Sequence, residues 1–189
     1  MTIQTLTLKK SNIRDFAKER NLVLKKAKGE WVFFLDSDES VSSLLKKELN
    51  NLSAANYDAF YVRRDNYFLG KYIGTDNIVR LGKAKRGRWT RRVHENWKFD
   101  GPVGQLRYPI IHNSARSIFE MIGKINNYST LHAMANQEEG KKSSLFKIIV
   151  YPKLKFIESI FAGRGIVFSV IQAFHSFLSC GKQWELQRK

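Results

Sequence analysis

Three acidic residues within four positions form the part of this 189-residue sequence with the clearest potential chemistry. Asp36, Asp38 and Glu39 directly follow residues 30–35, EWVFFL, which have the length and composition of a strand buried on both faces. Carboxylates repel one another, so this grouping is costly unless a cation lies among them. An Asp-x-Asp at a strand end suits Mg²⁺ or Mn²⁺ that also holds a diphosphate. The simpler interpretation is an N-terminal helix cap, which explains one or two of the acids.

The elements around this acidic turn are predicted to alternate between helix and strand. Residues 12–28 favour a helix capped by Ser11 or Asn12, and residues 42–52 favour a second helix. Helix, buried strand, acidic turn and helix in this order indicate an α/β fold, whose ligands bind at the carboxyl ends of strands. Further strands are predicted at 57–63, 78–82, 88–94 and 106–112, with a turn at 66–70.

The C-terminal part of the chain is predicted to be helical, basic and rich in aromatic residues. A helix is expected over 117–135 and a polar loop over 136–144, followed by two helices broken near Gly163 and Gly165. These patterns predict two domains, an α/β domain over 1–135 and a basic, helical region over 136–189.

Charge is the strongest compositional signal. Lys and Arg number 33 against 17 Asp and Glu, which gives a net charge of +16. Nucleic acid, anionic membrane lipid and a phosphorylated substrate are the partners that such a surplus suits. A single cysteine, Cys180, excludes a disulfide scaffold and a cysteine-based zinc site, and it fits a reducing, cytoplasmic location.

The uncharged run from Gly165 to Gly181 is at the short limit for crossing a bilayer. Phe and Ile on one side with flanking Lys and Arg suit a helix that lies in the membrane interface. The sequence therefore predicts peripheral association with an anionic membrane surface, and packing of this helix on the domain itself is the alternative.

Several motifs in order resemble the family 2 glycosyltransferases. Arg20-Asn21 followed by residues 27–39, AKGEWVFFLDSDE, is similar to the family's segment around its acidic turn. The later parts of the resemblance are Arg63-x-x-Asn66-x-Phe68-x-Gly70, Arg80-Leu81, Val93-His94-Glu95, residues 109–112 (PIIH) and Asn126-x-Tyr128-Ser129. The resemblance covers residues 12–180 and is nearest to bacterial enzymes of lipopolysaccharide-core and cell-envelope glycan synthesis.

The resemblance implies a partial GT-A fold, a Rossmann-like mixed sheet flanked by helices, followed by amphipathic helices. It implies transfer of a sugar, as by a hexosyltransferase, from a nucleotide-diphosphate donor to a hydroxyl of an envelope glycan or lipid-linked acceptor. Such enzymes usually invert the sugar centre. A metal, Mg²⁺ or Mn²⁺, would neutralise the charge that develops on the leaving diphosphate.

The resemblance also implies roles for particular acidic and histidine residues. Asp38, Asp36 and His112 are the expected metal ligands, with Asp38 the more direct of the two aspartates. Glu95 beside His94 is the expected catalytic pair, in which Glu95 takes the acceptor proton as general base.

Donor binding is expected from Asp36 and Asp38 themselves and from four further residues: Arg20, Asn21, Arg80 and Arg92. Their simpler roles remain open, since Arg20 could lie on a helix surface and Asn21 could cap local backbone. Likewise His112 could be a core histidine, and Glu95 could be a structural partner of Arg91 or Arg92.

The resemblance begins in the middle of the family pattern. Only eleven residues precede Asn12, whereas the family has a first strand and a loop that grips the nucleotide base. We therefore expect Asp36 and Asp38 to lie near an exposed sheet edge. We also expect this chain to bind donor weakly or not at all unless a second chain supplies the missing half.

Two functions from other classes are consistent with parts of the sequence. A nucleic-acid-binding module would use residues 80–92 for phosphates and Trp89, Trp97 and Tyr108 for stacking. It leaves the acidic turn unexplained, so nucleic acid is not the expected partner. A membrane-associated, non-catalytic remnant would keep only the C-terminal helices as a docking surface.

Overall fold

The computed structural model describes residues 2–8, 13–54, 56–92 and 94–189. These residues form nine strands and five helices, and the fold is mixed α/β, consistent with a partial GT-A arrangement. The strands are β1 (Ile3–Leu6), β2 (Trp31–Phe34), β3 (Glu39–Val41), β4 (Ala59–Phe68), β5 (Lys71–Lys83), β6 (Gly87–Thr90), β7 (Asn96–Phe99), β8 (Val103–Gln105) and β9 (Ile110–Asn113). The helices are α1 (Phe16–Lys25), α2 (Ser43–Asn50), α3 (Ile118–Glu138), α4 (Leu145–Phe161) and α5 (Ile166–Leu186).

The chain divides into two compact units. Unit 1 holds the residues up to Tyr67 together with Thr75–Asn113, and unit 2 holds Phe68–Gly74 and Ser114–Lys189. The sequence-based boundary between residues 135 and 136 falls inside α3. The whole of α3 belongs to unit 2, because α3 packs on α5.

The seven-stranded sheet has the order β1-β2-β5-β4-β9-β3, and β8 pairs with β4. Strand β2 is buried at every residue, as the sequence predicts. Trp31 and Phe33 pack into one hydrophobic cluster, while Val32 and Phe34 pack into another on the opposite face. The alternating side chains of one short strand thus contribute to both cores of unit 1.

The sheet edge predicted near Asp36 and Asp38 is formed by β1, so β2 itself is an inner strand. Strand β1 pairs in parallel along all four residues of β2, from Ile3 opposite Trp31 to Leu6 opposite Phe34. On its other side β2 pairs with β5 in antiparallel register. The residues ahead of α1 supply this parallel neighbour through backbone hydrogen bonds, which demand little of the side chains and so leave a weak sequence signal.

The helices on either side of the acidic turn begin at side-chain caps. Asp15 accepts a hydrogen bond from the Lys18 backbone at 2.9 Å and begins α1 later than predicted. The predicted caps Ser11 and Asn12 lie outside the described residues. Ser42 accepts from the Leu45 backbone at 3.2 Å, which confirms the predicted start of α2.

Three strand predictions differ from the structure in their bounds. Strand β4 continues through Phe68, so the turn predicted at 66–70 is confined to Leu69 and Gly70, which have φ values of 49° and 77°. The strand predicted at 88–94 is the first half of the β6–β7 hairpin. The strand predicted at 106–112 is reduced to β9, which begins directly after Pro109.

Unit 2 is a set of packed helices. Helix α3 begins at the Ser117 cap and continues to Glu138, into the stretch predicted as a loop. The predicted break between the last two helices is confirmed, since Gly163 and Gly165 have φ values of 70° and 83°. Within the described part of the chain, none of the helices meets the length and hydropathy needed to cross a membrane.

Candidate functional site

The acidic turn that follows β2 is held by two buried arginines. Arg20 on α1 donates from Nη2 to both carboxylate oxygens of Asp36, at 2.7 and 3.0 Å. Arg80 on β5 donates from Nη2 to Oδ2 of Asp36 at 2.6 Å. Arg20 and Arg80 are only 2% and 5% exposed. Asp36 is therefore fixed as part of a charge-compensated cluster.

Glu39 closes the same turn from its other end. Its Oε1 accepts from Arg80 at 2.8 Å and from Arg64 on β4 at 3.3 Å. Its Oε2 accepts from the backbone N–H of Asp36 at 3.0 Å. Because Glu39 is buried, these bonds to charged donors compensate its desolvation. Sequence reasoning placed Glu39 in the turn but assigned it no partner.

The electrostatics of the cluster keep Asp36 ionised. Burial alone would raise the pKa of Asp36, but the charges of Arg80 and Arg20 outweigh burial and lower it below its usual value. Burial would likewise lower the pKa of Arg20, and Asp36 and Glu95 together raise it. Both groups therefore stay charged at neutral pH.

Arg20 joins the acidic turn to the predicted general base. Its Nε donates to Oε1 of Glu95 at 2.9 Å. Its guanidinium carbon lies 4.7 Å from the ring centroid of Trp89 and 5.5 Å from that of Phe34. Glu95 thus pairs with Arg20, a residue expected to bind donor phosphate, whereas the simpler interpretation of Glu95 named Arg91 or Arg92. The hydrogen bonds that the Arg20 and Arg80 side chains donate in the described structure are to carboxylates of the site.

Asp38 lies directly before β3, the strand that pairs with β9. The register places Glu39 opposite His112, and the Asp38 carbonyl accepts from the Asn113 backbone at 3.0 Å. His112 Nε2 is 3.6 Å from Oδ2 of Asp38. The His112 and Asp38 side chains are 18% and 34% exposed, so the pair is accessible from solvent. The structure therefore brings together two of the three predicted metal ligands.

Asn66 orients His112, and sequence reasoning assigned it no role. Strand β4 pairs in parallel with β9 so that Asn66 is opposite His112. The Asn66 Oδ1 atom is 2.7 Å from His112 Nδ1. When Nδ1 carries the proton and donates it to Asn66, the Nε2 lone pair faces Asp38. Asn66 belongs to the motif that starts at Arg63, which was the available signal.

The fit of a divalent metal differs between the two aspartates. Among the described residues, no group of three or more His, Cys, Asp or Glu side chains forms a metal-binding cluster. Asp38 and His112 offer one oxygen and one nitrogen ligand, and Mg²⁺ is often held by one or two protein carboxylates plus substrate phosphates. Asp36 fits a direct ligand poorly, because its oxygens already accept from two guanidinium groups.

The remaining predicted residues have structural contacts around α1. Asn21 donates to the Trp89 carbonyl at 2.8 Å and accepts from the Trp89 N–H at 3.0 Å, which fixes β6 against the helix. The Arg92 carbonyl accepts from the Phe16 N–H at 3.0 Å. Desolvation and, secondarily, Arg91 lower the pKa of His94, although Glu95 opposes them. His94 is therefore neutral near pH 7.

The aromatic residues proposed for base stacking are mostly inside the protein. Trp89 and Trp97 stack on each other with centroids 5.1 Å apart and are only 3% and 4% exposed. Tyr108 packs against a core cluster. These side chains offer little surface to nucleic-acid bases. The basic residues are then the remaining feature that supports nucleic-acid binding.

Comparison with known proteins gives a consistent result. The model of the family "Glycosyl transferase family 2" matches residues 6–108. The lipopolysaccharide core biosynthesis glycosyltransferase LpsC of Rhizobium meliloti (strain 1021) is 28% identical, over 91% of this chain and 70% of LpsC. Uncharacterised glycosyltransferases of Rickettsia typhi and Rickettsia prowazekii are 26% and 25% identical, each over 85% of this chain. The chain spans 64% of the length of each Rickettsia protein.

Proposed function

The chain belongs to glycosyl transferase family 2, and we propose that it transfers a sugar from a nucleotide-diphosphate donor to a hydroxyl of an envelope glycan or lipid-linked acceptor, with inversion. The pairing of Asp38 with His112, beside an Asp36 that two arginines hold, is the observation that carries this proposal. Similarity to LpsC favours an acceptor in lipopolysaccharide core synthesis. The proposed location is the cytoplasmic side of the cell membrane, with peripheral attachment.

The donor diphosphate is proposed to lie at the solvent-facing side of the acidic turn. Asp38 and His112 would hold Mg²⁺ or Mn²⁺ there, and this ion would neutralise the charge that develops on the leaving diphosphate. Asn66 keeps the His112 ring in the orientation that this requires. Arg20 and Arg80 act through Asp36 by fixing the backbone between β2 and Asp38, while Arg92 is the proposed cation for direct phosphate pairing.

Glu95 is the proposed general base. Its Oε1 accepts a hydrogen bond from Arg20, which orients the carboxylate, and the acceptor hydroxyl would donate to Oε2. His94 is the neighbour of this base, and its lowered pKa keeps it neutral at pH 7, so it adds no positive charge there. Inversion needs one base on the face opposite the leaving group, which is the position proposed for Glu95.

Calorimetry with UDP, GDP and ADP in the presence of Mn²⁺, Mg²⁺ or EDTA tests the donor site. We expect binding of at least one nucleotide to require metal and to weaken at least about tenfold in Asp38→Asn. Asp100→Asn, an exposed carboxylate in the same unit, is the matched control and should bind like the wild type. Binding that EDTA and Asp38→Asn leave unchanged, or no binding by a folded chain, would contradict the proposed site.

A further inference from the structure

Helix α4 exposes a long apolar stripe to solvent. Phe146 is 68% exposed, Ile149 59%, Leu154 54%, Ile157 49% and Phe161 87%. These positions are three to five residues apart, so they follow one side of the helix over about 22 Å. These five side chains form the α4 stripe, and contiguous exposed apolar surface of this kind marks a site of interaction with a protein or a membrane.

The opposite side of α4 is already used for packing within unit 2. Ser159 is 2% exposed and accepts a hydrogen bond from the Ser169 hydroxyl of α5 at 2.9 Å. The α4 stripe is therefore additional to the surface that holds the two helices together. Where the chain turns into α5, Ile166 and Val167 are 67% and 47% exposed and extend the apolar surface beyond Phe161.

The charges around the stripe are almost all positive. Residues 141–166 contain one acid, Glu158, and six cations: Lys141, Lys142, Lys147, Lys153, Lys155 and Arg164. Lys153 is exposed and stands four residues from both Ile149 and Ile157, so its ammonium is carried on the stripe itself. A lysine stem can lie along an apolar phase while its ammonium reaches phosphate groups at the boundary.

We propose that the α4 stripe docks on the surface of an anionic phospholipid membrane, with α4 lying in the plane of the interface. The apolar side chains would enter the acyl boundary, and the lysines would contact lipid phosphates. A second copy of the chain is a poorer occupant, because a two-fold contact would bring the same lysines face to face. This inference stands on the surface chemistry of α4 and holds whether or not the sugar-transfer proposal is correct.

Vesicle flotation of the purified full chain is the test. The probes are phosphatidylcholine vesicles and vesicles in which about a third of the lipid is phosphatidylglycerol. We expect flotation with the anionic vesicles and a marked loss of it at high salt. Ile157→Gln with Phe161→Gln should weaken partitioning at least about tenfold, and Lys153→Glu at least about fivefold.

Helix α2 supplies matched controls in unit 1. Leu44 is 49% exposed, the same fraction as Ile157, and Lys46 is exposed on the same helix. Leu44→Gln and Lys46→Glu should float like the wild type. No flotation with anionic vesicles, or equal loss in the α2 and α4 variants, would overturn the proposal. A concentration-dependent dimer that Ile157→Gln abolishes would overturn it in favour of a second copy.

Discussion

The two units of this chain depart from the usual placement of side chains in different ways. Unit 1 buries charges, since Arg20, Arg80 and Glu39 are 2%, 5% and 8% exposed. Unit 2 exposes aromatic rings, since Phe119 and Phe161 are 89% and 87% exposed. Folding alone favours neither arrangement, because buried charges are costly and exposed rings forgo the gain of burial.

The difference indicates where each unit meets its partners. The buried arginines and carboxylates of unit 1 pair with one another, which fixes a polar turn whose outer side, at Asp38, can receive a ligand. The exposed rings of unit 2 need a second apolar phase to be covered. Preorganisation of polar groups thus characterises unit 1, and an uncovered apolar surface characterises unit 2.

The largest effect is expected from breaking the buried charge cluster. Arg20→Met keeps the apolar stem but removes the partner of Glu95 and one of the two partners of Asp36. We expect a loss of about 3–5 kcal/mol in the free energy of unfolding, because buried carboxylates lose their compensation. Urea denaturation followed by circular dichroism measures it.

Arg63→Met is the control for this change. The Arg63 side chain is 51% exposed and pairs with Asp65 at 3.2 Å, so its removal should cost less than about 1 kcal/mol. Equal costs for Arg20→Met and Arg63→Met would remove the contrast between the buried cluster and ordinary surface pairs.

A smaller effect is expected from the titration of Asp36. Its folded pKa lies below its unfolded value, so it contributes stability that is fully present above the unfolded pKa and is lost as the pH falls through the folded pKa. The free energy of unfolding of the wild type, measured with urea, should therefore decrease as the pH falls through the acidic range below the ordinary aspartate pKa. Asp36→Asn should lower stability at pH 7 and flatten this dependence. A variant with the same acid slope as the wild type would exclude Asp36 as its source.

Sequence patterns predicted the elements whose signals are local. The buried β2 is visible because Trp31–Phe34 is continuously apolar, and α2 is visible because Ser42 precedes a helical stretch. Strand β1 was missed because Ile3–Leu6 alternates weakly and is defined by its pairing with β2. Helix α1 starts later than predicted because Asp15 is its cap. In the sequence, Asp15 is one of several nearby polar residues that could cap a helix.

The residues of the candidate site could be identified from the sequence, but the contacts between them could not. The acidic turn, Arg20, Glu95 and His112 were all identified by type and motif. That Arg20 joins Asp36 to Glu95 depends on α1 lying near residues 16 and 75 positions away in the chain, which no spacing rule gives. The Asn66–His112 contact depends in the same way on the parallel register of β4 and β9.

The smallest effect is expected from the exposed rings of unit 2, and it sharpens the contrast with unit 1. Phe161→Ala should change the free energy of unfolding by less than about 0.5 kcal/mol, because this side chain is 87% exposed and leaves no cavity. Phe168→Ala, seven residues later and 7% exposed, should cost about 3–5 kcal/mol. Thermal and urea unfolding of the two variants measures the difference. A cost above about 1 kcal/mol for Phe161→Ala would mean that this ring serves the fold of unit 2, and its exposure would then need no membrane to explain it.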